Sequence, residues 1–224
     1  MSSSVRGRGG LSSAPPFEER RMTTDERSKL LELLATHAYN YKPGGFVLAS
    51  GKTSDEYLDC KMALSQPSAS NPLGSLFLSY IDPRAVAVGG LTMGSDPIAI
   101  NVSRASADSA HPVRWFSVRK DAKEHGKKKT IEGDVAPGQN VVVVDDVVTT
   151  GGSTIQAIEK CRAFGLEVVQ VLVLVDREQD DGIQKIREAA GPNVDVVAMF
   201  KKSEVRREWD LRHLRQQPTL RATA

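Results

Sequence analysis

The stretch VVVVDDVVTTGGST at residues 141–154 decides the fold of this chain. Its four consecutive valines are β-branched and apolar, which is typical of a parallel strand that is covered on both faces. Such a strand delivers Asp145 and Asp146 to its carboxyl end. Residues 149–154 then combine hydroxyls, small side chains and unhindered backbone N–H groups before a helical pattern, an arrangement that cradles phosphate. The stretch therefore predicts a ligand with a phosphate and, close by, hydroxyls or a metal ion.

Strand and helix patterns alternate on both sides of this stretch. Apolar runs predict further strands at residues 85–90, 115–118, 168–175 and 194–200. Helical patterns start at Pro97, follow residue 154 up to Gly165, and cover residues 183–190. This alternation predicts an α/β fold with a mostly parallel central sheet flanked by helices. Ligands of such sheets bind at the carboxyl ends of the strands, where Asp145 and Arg177 fall.

The N-terminal part has a different pattern. Residues 23–26, Thr-Thr-Asp-Glu, form a capping box that predicts a first helix ending before Pro43. An apolar run at residues 46–48, a polar loop and Tyr57 then indicate a hairpin with a polar tip. Pro72 follows an asparagine and opens a second helix.

Composition excludes several classes of protein. The chain has 224 residues, which suits one sizeable domain, and its formal net charge of +2 gives no global case for nucleic-acid or membrane binding. No stretch is long and apolar enough to span a bilayer. Cys60 and Cys161 lack metal-ligand spacing, so we expect reduced thiols in a cytoplasmic protein.

Residues 141–154 match neither common phosphate motif. The Gly-Lys-Ser/Thr ending of a P-loop and the Gly-x-Gly-x-x-Gly spacing of dinucleotide-binding proteins are both absent. The plain alternative is a strand followed by a polar helix cap. The stretch resembles the signature of type I phosphoribosyltransferases, which bind 5-phosphoribosyl 1-diphosphate (PRPP). The resemblance implies that Asp145 and Asp146 meet the ribose hydroxyls and that the loop holds the 5'-phosphate.

A second signal is the sequence RKDAKEHG at residues 119–126. By itself it would be a solvated charged loop, and the lysines at 127–129 could be mistaken for a nucleic-acid patch. The segment resembles a loop of the orotate phosphoribosyltransferases, the pyrimidine-pathway branch of the family. There the loop is shared across a homodimer, so we expect residues 119–129 to complete a neighbouring site. The resemblance implies diphosphate contacts from Arg119, Lys120, Lys123 and His125, with the first and third reaching the neighbouring subunit.

Base recognition is expected from two other segments. Arg177 could be an ordinary salt-bridged arginine, but Asp-Arg-Glu at residues 176–178 resembles the orotate-binding segment of the family. Residues 46–59 resemble the hairpin that covers the orotate ring, with Lys52 at its tip. Ala49 and Met93 stand where many relatives have lysines. We therefore expect the remaining loop cations or Lys52 to compensate.

The resemblance covers about residues 23–200. It implies a phosphoribosyltransferase domain at 23–203 that includes an N-terminal hood at about 23–66, and it leaves a C-terminal tail at 204–224 outside. Residues 1–22 are rich in Ser, Gly, Arg and Pro, a composition that predicts a disordered tail. We predict five catalytic residues: Asp145, Asp146, Lys120, Lys123 and His125. Substrate-binding residues are predicted to be Arg119, Thr149, Thr150, Gly151, Gly152, Ser153, Thr154, Arg177 and Lys52.

The expected reaction converts orotate and PRPP to orotidine 5'-monophosphate and diphosphate. Mg²⁺ is the expected cofactor, and we predict no protein metal cage, because this ion would be held mainly through the substrate. One alternative is a purine phosphoribosyltransferase, which would lack the loop at residues 119–126. Another is a PRPP-sensing regulator without catalysis, usually with a DNA-binding module, for which residues 1–21 are too short and too poor in apolar side chains.

Overall fold

The structure is a computed structural model that describes residues 24–47, 53–120 and 129–216. Its helices are α1 (Thr24–Leu33), α2 (Cys60–Leu64), α3 (Ser70–Leu78), α4 (Asp96–Ser106), α5 (Gly152–Phe164), α6 (Gly182–Ala190) and α7 (Lys202–Gln216). Its strands are β1 (Tyr39–Val47), β2 (Thr53–Leu58), β3 (Ala87–Leu91), β4 (Arg114–Val118), β5 (Ile131–Gly133), β6 (Asn140–Val148), β7 (Glu167–Asp176) and β8 (Asp195–Lys201).

The central sheet has six strands in the order β5-β4-β3-β6-β7-β8. All neighbours pair in parallel except β5, which runs antiparallel to β4 at one edge. Consecutive strands that pair in parallel require crossovers, and helices supply them. The predicted mostly parallel α/β fold is therefore confirmed.

The four consecutive valines of β6, residues 141–144, are fully buried because the sheet is covered on both faces. Val142 and Val144 belong to the core on the face of α3 and α4, whereas Val141 and Val143 belong to the core on the face of α5 and α6. Side chains alternate between the faces of a strand, so a strand buried on both sides needs apolar residues at every position. This explains the run of valines that first indicated the strand.

The N-terminal helix ends earlier than the predicted limit of Pro43. A π-helical turn, Leu34–Ala38, follows α1, and β1 already begins at Tyr39. The apolar run at residues 46–48 thus marks only the end of this strand. β1 pairs antiparallel with β2, which confirms the predicted hairpin. Its predicted tip, including Lys52, lies outside the described residues.

The C-terminal segment is a helix rather than a tail from residue 204. α7 begins at Lys202, so the predicted domain end at residue 203 falls inside it. Val205 is fully buried against the core, and Trp209 packs beside it. The sequence of α7 has few apolar residues, and ion pairs such as Arg206–Asp210 support it instead of an apolar stripe. The other domain limits stay predictions, and residues 1–22 lie outside the described ranges.

Both cysteines are buried free thiols, as expected. Burial raises the pKa of the Cys161 thiol to about 12 and that of Cys60 well above its ordinary value. These thiols therefore pack as small apolar side chains. No helix within residues 24–47, 53–120 and 129–216 has the length and apolar character needed to cross a membrane.

Candidate active site at the carboxyl end of β6

Asp145 and Asp146, here called the acid pair, lie near the carboxyl end of β6 and are each 5% exposed. The Thr154 hydroxyl donates a 2.7 Å hydrogen bond to Asp145 Oδ2, and the Asp146 backbone N–H donates one of 3.0 Å to Asp145 Oδ1. Asp146 Oδ2 is buried and accepts no hydrogen bond from the described residues. Lys61 Nζ lies 3.7 Å from it. The acid pair thus retains acceptor capacity for a ligand.

Burial raises the pKa of both members of the acid pair. The hydrogen bond from Thr154 opposes this effect at Asp145, and the charge of Lys61 opposes it at Asp146. A buried carboxylate is costly without partners, so a ligand that brings hydroxyl donors or a cation would favour the charged form. Ribose hydroxyls and a divalent ion both meet this requirement.

The Thr-Gly loop (residues 149–154) joins β6 to the start of α5. Gly151 has a φ of +81°, and a Cβ there would come within 2.8 Å of Gly182 O, so the loop requires glycine at this position. All six residues of the loop line a cavity of about 160 Å³, and Asp145 also lines this cavity. The first N–H groups of a helix lack intrahelical acceptors and attract anions. The predicted phosphate-binding residues Thr149, Thr150, Gly151, Gly152, Ser153 and Thr154 are therefore brought together around one anion-sized space.

A second cavity of about 500 Å³ adjoins the first, since Asp145, Val147 and Ser153 line both. Its remaining walls are Lys61, Leu91, Thr92, Met93, Gly94, Lys120 and Asp146. A Cβ at Gly94 would lie 2.5 Å from Asp146 Oδ1, so the loop after β3 lies directly against the acid pair. Together the cavities extend from the Thr-Gly loop past both carboxylates.

A single aspartate holds the loop after β3 in place. Asp96 accepts hydrogen bonds from Thr92 Oγ1 at 2.6 Å and from Ser117 Oγ at 2.8 Å. These bonds connect the loop to the start of α4 and to β4. The wall of the second cavity is therefore fixed by two neighbouring elements.

The charged loop (residues 119–129) starts directly after β4. Lys120 lines the second cavity, whereas Arg119 Nη1 lies 3.6 Å from Glu132 Oε1. Lys160 of α5 anchors the start of this loop by donating to the carbonyls of Arg119, at 2.7 Å, and Lys120. The predicted residues Lys123 and His125 lie outside the described residues.

Arg177 follows β7 and lies beneath the hairpin. Its backbone N–H donates to Val148 O at 2.9 Å, and its Nη2 donates to Leu58 O of β2. The buried Nε has no hydrogen-bond acceptor in the part of the chain that the structure describes. Arg177 also lines a small cavity with Ser54 and Lys202. The guanidinium thus retains a donor for a ligand between the sheet and the hairpin.

Cavity volume alone does not locate the site. A cavity of about 670 Å³ lies between α6 and β8 and includes neither the acid pair nor the Thr-Gly loop. The buried acceptors and the anion-binding backbone, rather than empty space, identify the carboxyl end of β6 as the candidate site.

Sequence reasoning missed two residues of this site, Lys61 and Gly94. Lys61 lies in α2, a helix of five residues that is too short to produce a periodic pattern. The available signal was an aspartate two positions before Lys61. Asp59 caps α2 and forms an ion pair with Lys61 at 2.8 Å. Gly94 had no distinctive signal, since its role depends on the approach of a separate strand.

Comparison with known proteins agrees with this geometry. The family model described as "Phosphoribosyl transferase domain" matches residues 85–195, from just before β3 to the start of β8. The matched segment contains the acid pair, the Thr-Gly loop, the charged loop and Arg177. The fold and the site are thus those of a phosphoribosyltransferase.

Individual relatives define the branch. The chain is 46% identical to an orotate phosphoribosyltransferase of Synechocystis over 154 residues, covering 68% of this chain and 77% of the relative. It is 38% identical to the enzyme of that name from Aquifex aeolicus over 182 residues, covering 80% and 97%. The crystal structure of Mycobacterium tuberculosis orotate phosphoribosyltransferase with PRPP has a TM-score of 0.64 and 27% identity, covering 83% of this chain and 95% of that one. The chain belongs to the orotate phosphoribosyltransferase family.

Proposed function

We propose that the protein transfers the 5-phosphoribosyl group of PRPP to orotate, which gives orotidine 5'-monophosphate and diphosphate in pyrimidine biosynthesis. The observation that carries this proposal is the buried acid pair beside the Thr-Gly loop, with both lining one continuous space. Family membership supports the same reaction, and the M. tuberculosis relative binds PRPP.

The acid pair would act on the ribose. The reaction breaks the bond from C1' to the diphosphate oxygen and forms a bond from C1' to a ring nitrogen of orotate, with positive charge developing on the sugar. Asp145 and Asp146 would accept hydrogen bonds from the ribose hydroxyls, and their negative charge would stabilise that transition state. The Thr-Gly loop would fix the 5'-phosphate, so that C1' lies within reach of both the base and the leaving group.

Magnesium fits this site as a substrate-held ion. Within the described residues, no group of three or more His, Cys, Asp or Glu side chains could form a protein cage for a metal. The acid pair offers oxygen ligands, and Asp146 Oδ2 has no hydrogen-bond donor among the described residues. Mg²⁺ prefers oxygen ligands and substrate phosphates, so PRPP together with Asp145 and Asp146 would hold it. When bound, the ion would neutralise charge on the diphosphate.

The charged loop would supply further cations to the leaving group. Lys120 already lines the second cavity of its own chain, which supports a role in that site. By family resemblance, Lys123 and His125 also contact the diphosphate, and His125 is a proton donor. Arg119 and Lys123 would reach the site of a partner subunit in a homodimer.

A hybrid-dimer experiment tests this shared site. Lys123→Ala and Asp146→Ala proteins should each be inactive, and mixing them should restore activity, because some hybrid dimers contain one intact site. Proteins with different affinity tags would show whether subunits exchange. Proven exchange without restored activity would contradict a shared site.

Arg177 would select the base. A guanidinium recognises a carboxylate through paired hydrogen bonds, and orotate carries a carboxylate that uracil and the purine bases lack. The free Nε of Arg177 and its position beneath the hairpin support this role. Thr149 would contact the base from the Thr-Gly loop, and Lys52 from the hairpin.

Because both cysteines are buried thiols, we also propose the cytoplasm as the location.

A panel of bases tests the proposed reaction. Purified protein with Mg²⁺ and PRPP should release diphosphate in the presence of orotate, and adenine, hypoxanthine and guanine should give no release above background. A preference for a purine would identify the purine branch instead. Binding of PRPP without product from any base would identify a PRPP-sensing regulator.

A further inference from the structure

Lys61 is a cation beside the acid pair whose role the family signature does not define. It lies in α2, directly after the hairpin, and its side chain is 48% exposed. Its Nζ is 2.8 Å from Asp59 Oδ1 and 3.7 Å from Asp146 Oδ2. The distance to Asp146 is too long for a hydrogen bond. Among the described residues, Asp59 therefore takes one of the three N–H donors of Nζ, and the other two are available. Lys61 is therefore anchored at one point and can bind a further acceptor.

The position of Lys61 matches the expected location of the diphosphate. The Thr-Gly loop lines only the smaller cavity, of about 160 Å³, which suits one phosphate. The larger cavity begins at Asp145, and Lys61 and Lys120 are the lysines among its described lining residues. A ribose held by the acid pair would project its leaving group into this second cavity. Lys61 lines this second cavity with a charged side chain, and all of its neighbours along α2 are among the described residues.

The loop after β3 contributes no cation to this cavity from its described residues 92–94. Met93 lines the cavity and is 69% exposed. Its apolar side chain carries no charge that could attract a diphosphate. The ion pair with Asp59 holds the Lys61 side chain at this cavity. The positive charge that Met93 cannot provide is thus available from α2.

We infer that Lys61 binds the diphosphate group of PRPP, with Asp59 as its anchor, and provides the charge that is absent at Met93. This inference rests on the proposed function. When PRPP enters, Nζ would move from its 3.7 Å contact with Asp146 to a phosphate oxygen. The same movement would leave Asp146 free to accept from a ribose hydroxyl.

Ligand binding separates this role from a purely structural one. Inorganic diphosphate with Mg²⁺ carries only the leaving group, whereas orotidine 5'-monophosphate carries the ribose and 5'-phosphate without it. Lys61→Met should weaken diphosphate binding about ten-fold or more in calorimetry, the effect of losing one charge-assisted hydrogen bond. It should leave orotidine 5'-monophosphate binding unchanged. Lys61→Arg should retain most of the diphosphate affinity.

Relocating the charge provides a second readout. Met93→Lys places a cation at another position of the same cavity, so adding it to Lys61→Met should restore most of the diphosphate affinity. In steady-state assays, Lys61→Met should raise KM for PRPP and leave KM for orotate unchanged. Lys29→Met is the matched control, because Lys29 also pairs with an aspartate, Asp25, at 2.5 Å and does not line either cavity.

Two results would overturn the inference. Equal weakening of diphosphate and orotidine 5'-monophosphate binding would mean that Lys61 only positions Asp146. Unchanged diphosphate binding would mean that Lys61 only forms its ion pairs. Failure of the wild type to use orotate would instead contradict the proposed function, and the diphosphate titration would still decide the role of Lys61.

Discussion

The Thr154 hydroxyl donates a 2.7 Å hydrogen bond to Asp145 Oδ2, and both residues are buried. Thr154 belongs to the first turn of α5, whereas Asp145 belongs to β6. The bond therefore joins the helix that presents the Thr-Gly loop to the strand that presents the acid pair. The two halves of the proposed ribose 5-phosphate site are thus joined by a direct hydrogen bond.

Removing this bond should impair both stability and substrate binding. Thr154→Val leaves a buried carboxylate oxygen without its donor, at an expected cost of about 1–3 kcal/mol in the free energy of unfolding. Because the lost bond lowers the pKa of Asp145, that pKa should rise and KM for PRPP should increase. Urea unfolding and initial rates measure the two effects. Thr154→Ser keeps the hydroxyl and is the control, and identical behaviour of the two variants would contradict the interpretation.

Asp146→Asn should stabilise the fold while it removes activity. Burial raises the pKa of Asp146 above its ordinary value of 3.8, so its charged form opposes folding. This cost is absent below pH 3.8, grows as pH rises from 3.8 to the raised pKa, and is constant above it. We expect the variant to be about 1 kcal/mol more stable than wild type at pH 8, with the difference closing toward pH 4. A variant that is less stable at pH 8 would show that Lys61 fully compensates the buried charge.

Lys160 should affect activity through the start of the charged loop. Its Nζ donates to the carbonyls of Arg119 and Lys120, so Lys160→Met should misplace Lys120 and lower kcat/KM for PRPP about ten-fold. Lys185→Met is a matched control, because Lys185 also donates to a backbone carbonyl, that of Asp180, at 2.7 Å. Equal rates for both variants would exclude a positioning role for Lys160.

A partly buried ion network connects the hairpin to α7. Glu56 of β2 accepts hydrogen bonds from Tyr39 at 2.6 Å, Arg206 at 2.8 Å and Lys202 at 2.5 Å. Burial alone would raise the pKa of Glu56, but the hydrogen bonds, that from Lys202 first, outweigh it and lower the pKa to about 2. The charged carboxylate thus holds the C-terminal helix against the hairpin.

This network predicts a stability that depends on pH. The contribution of Glu56 is complete above its ordinary pKa of 4.5 and is lost as pH falls through about 2. Glu56→Gln should therefore cost about 2–3 kcal/mol at pH 7, and its difference from wild type should shrink between pH 4.5 and 2. Glu208→Gln removes a single pair with Arg212 one turn further along α7 and should cost under about 0.5 kcal/mol. A difference for Glu56→Gln that does not vary with pH would contradict the network.

The sequence predicted the elements whose pattern is set by burial on both faces. Strands β6 and β7 are buried on both faces and therefore need apolar residues at nearly every position, which valines supply. Gly165 ends α5 in the left-handed conformation that favours glycine. The acid pair and the Thr-Gly loop were recognisable because they are consecutive in the chain. Local chemistry and local structure agree over this stretch.

Features that depend on distant contacts were not predictable. α7 is charged on most of its surface, and its contacts with Tyr39 and Glu56 join residues about 150 positions apart or more. Lys61 reaches Asp146 only because α2 lies over the end of β6. A single sequence shows neither contact, since each depends on how separate elements pack.

The most direct test of the central claim is product formation by wild type and Arg177→Met with PRPP, Mg²⁺ and either orotate or uracil. We predict that wild type forms orotidine 5'-monophosphate and uses uracil at least about 100-fold less efficiently, because uracil lacks the carboxylate. Arg177→Met should lose most orotate turnover and keep its affinity for PRPP. No orotidine 5'-monophosphate from wild type, or unchanged orotate selectivity in Arg177→Met, would contradict the account.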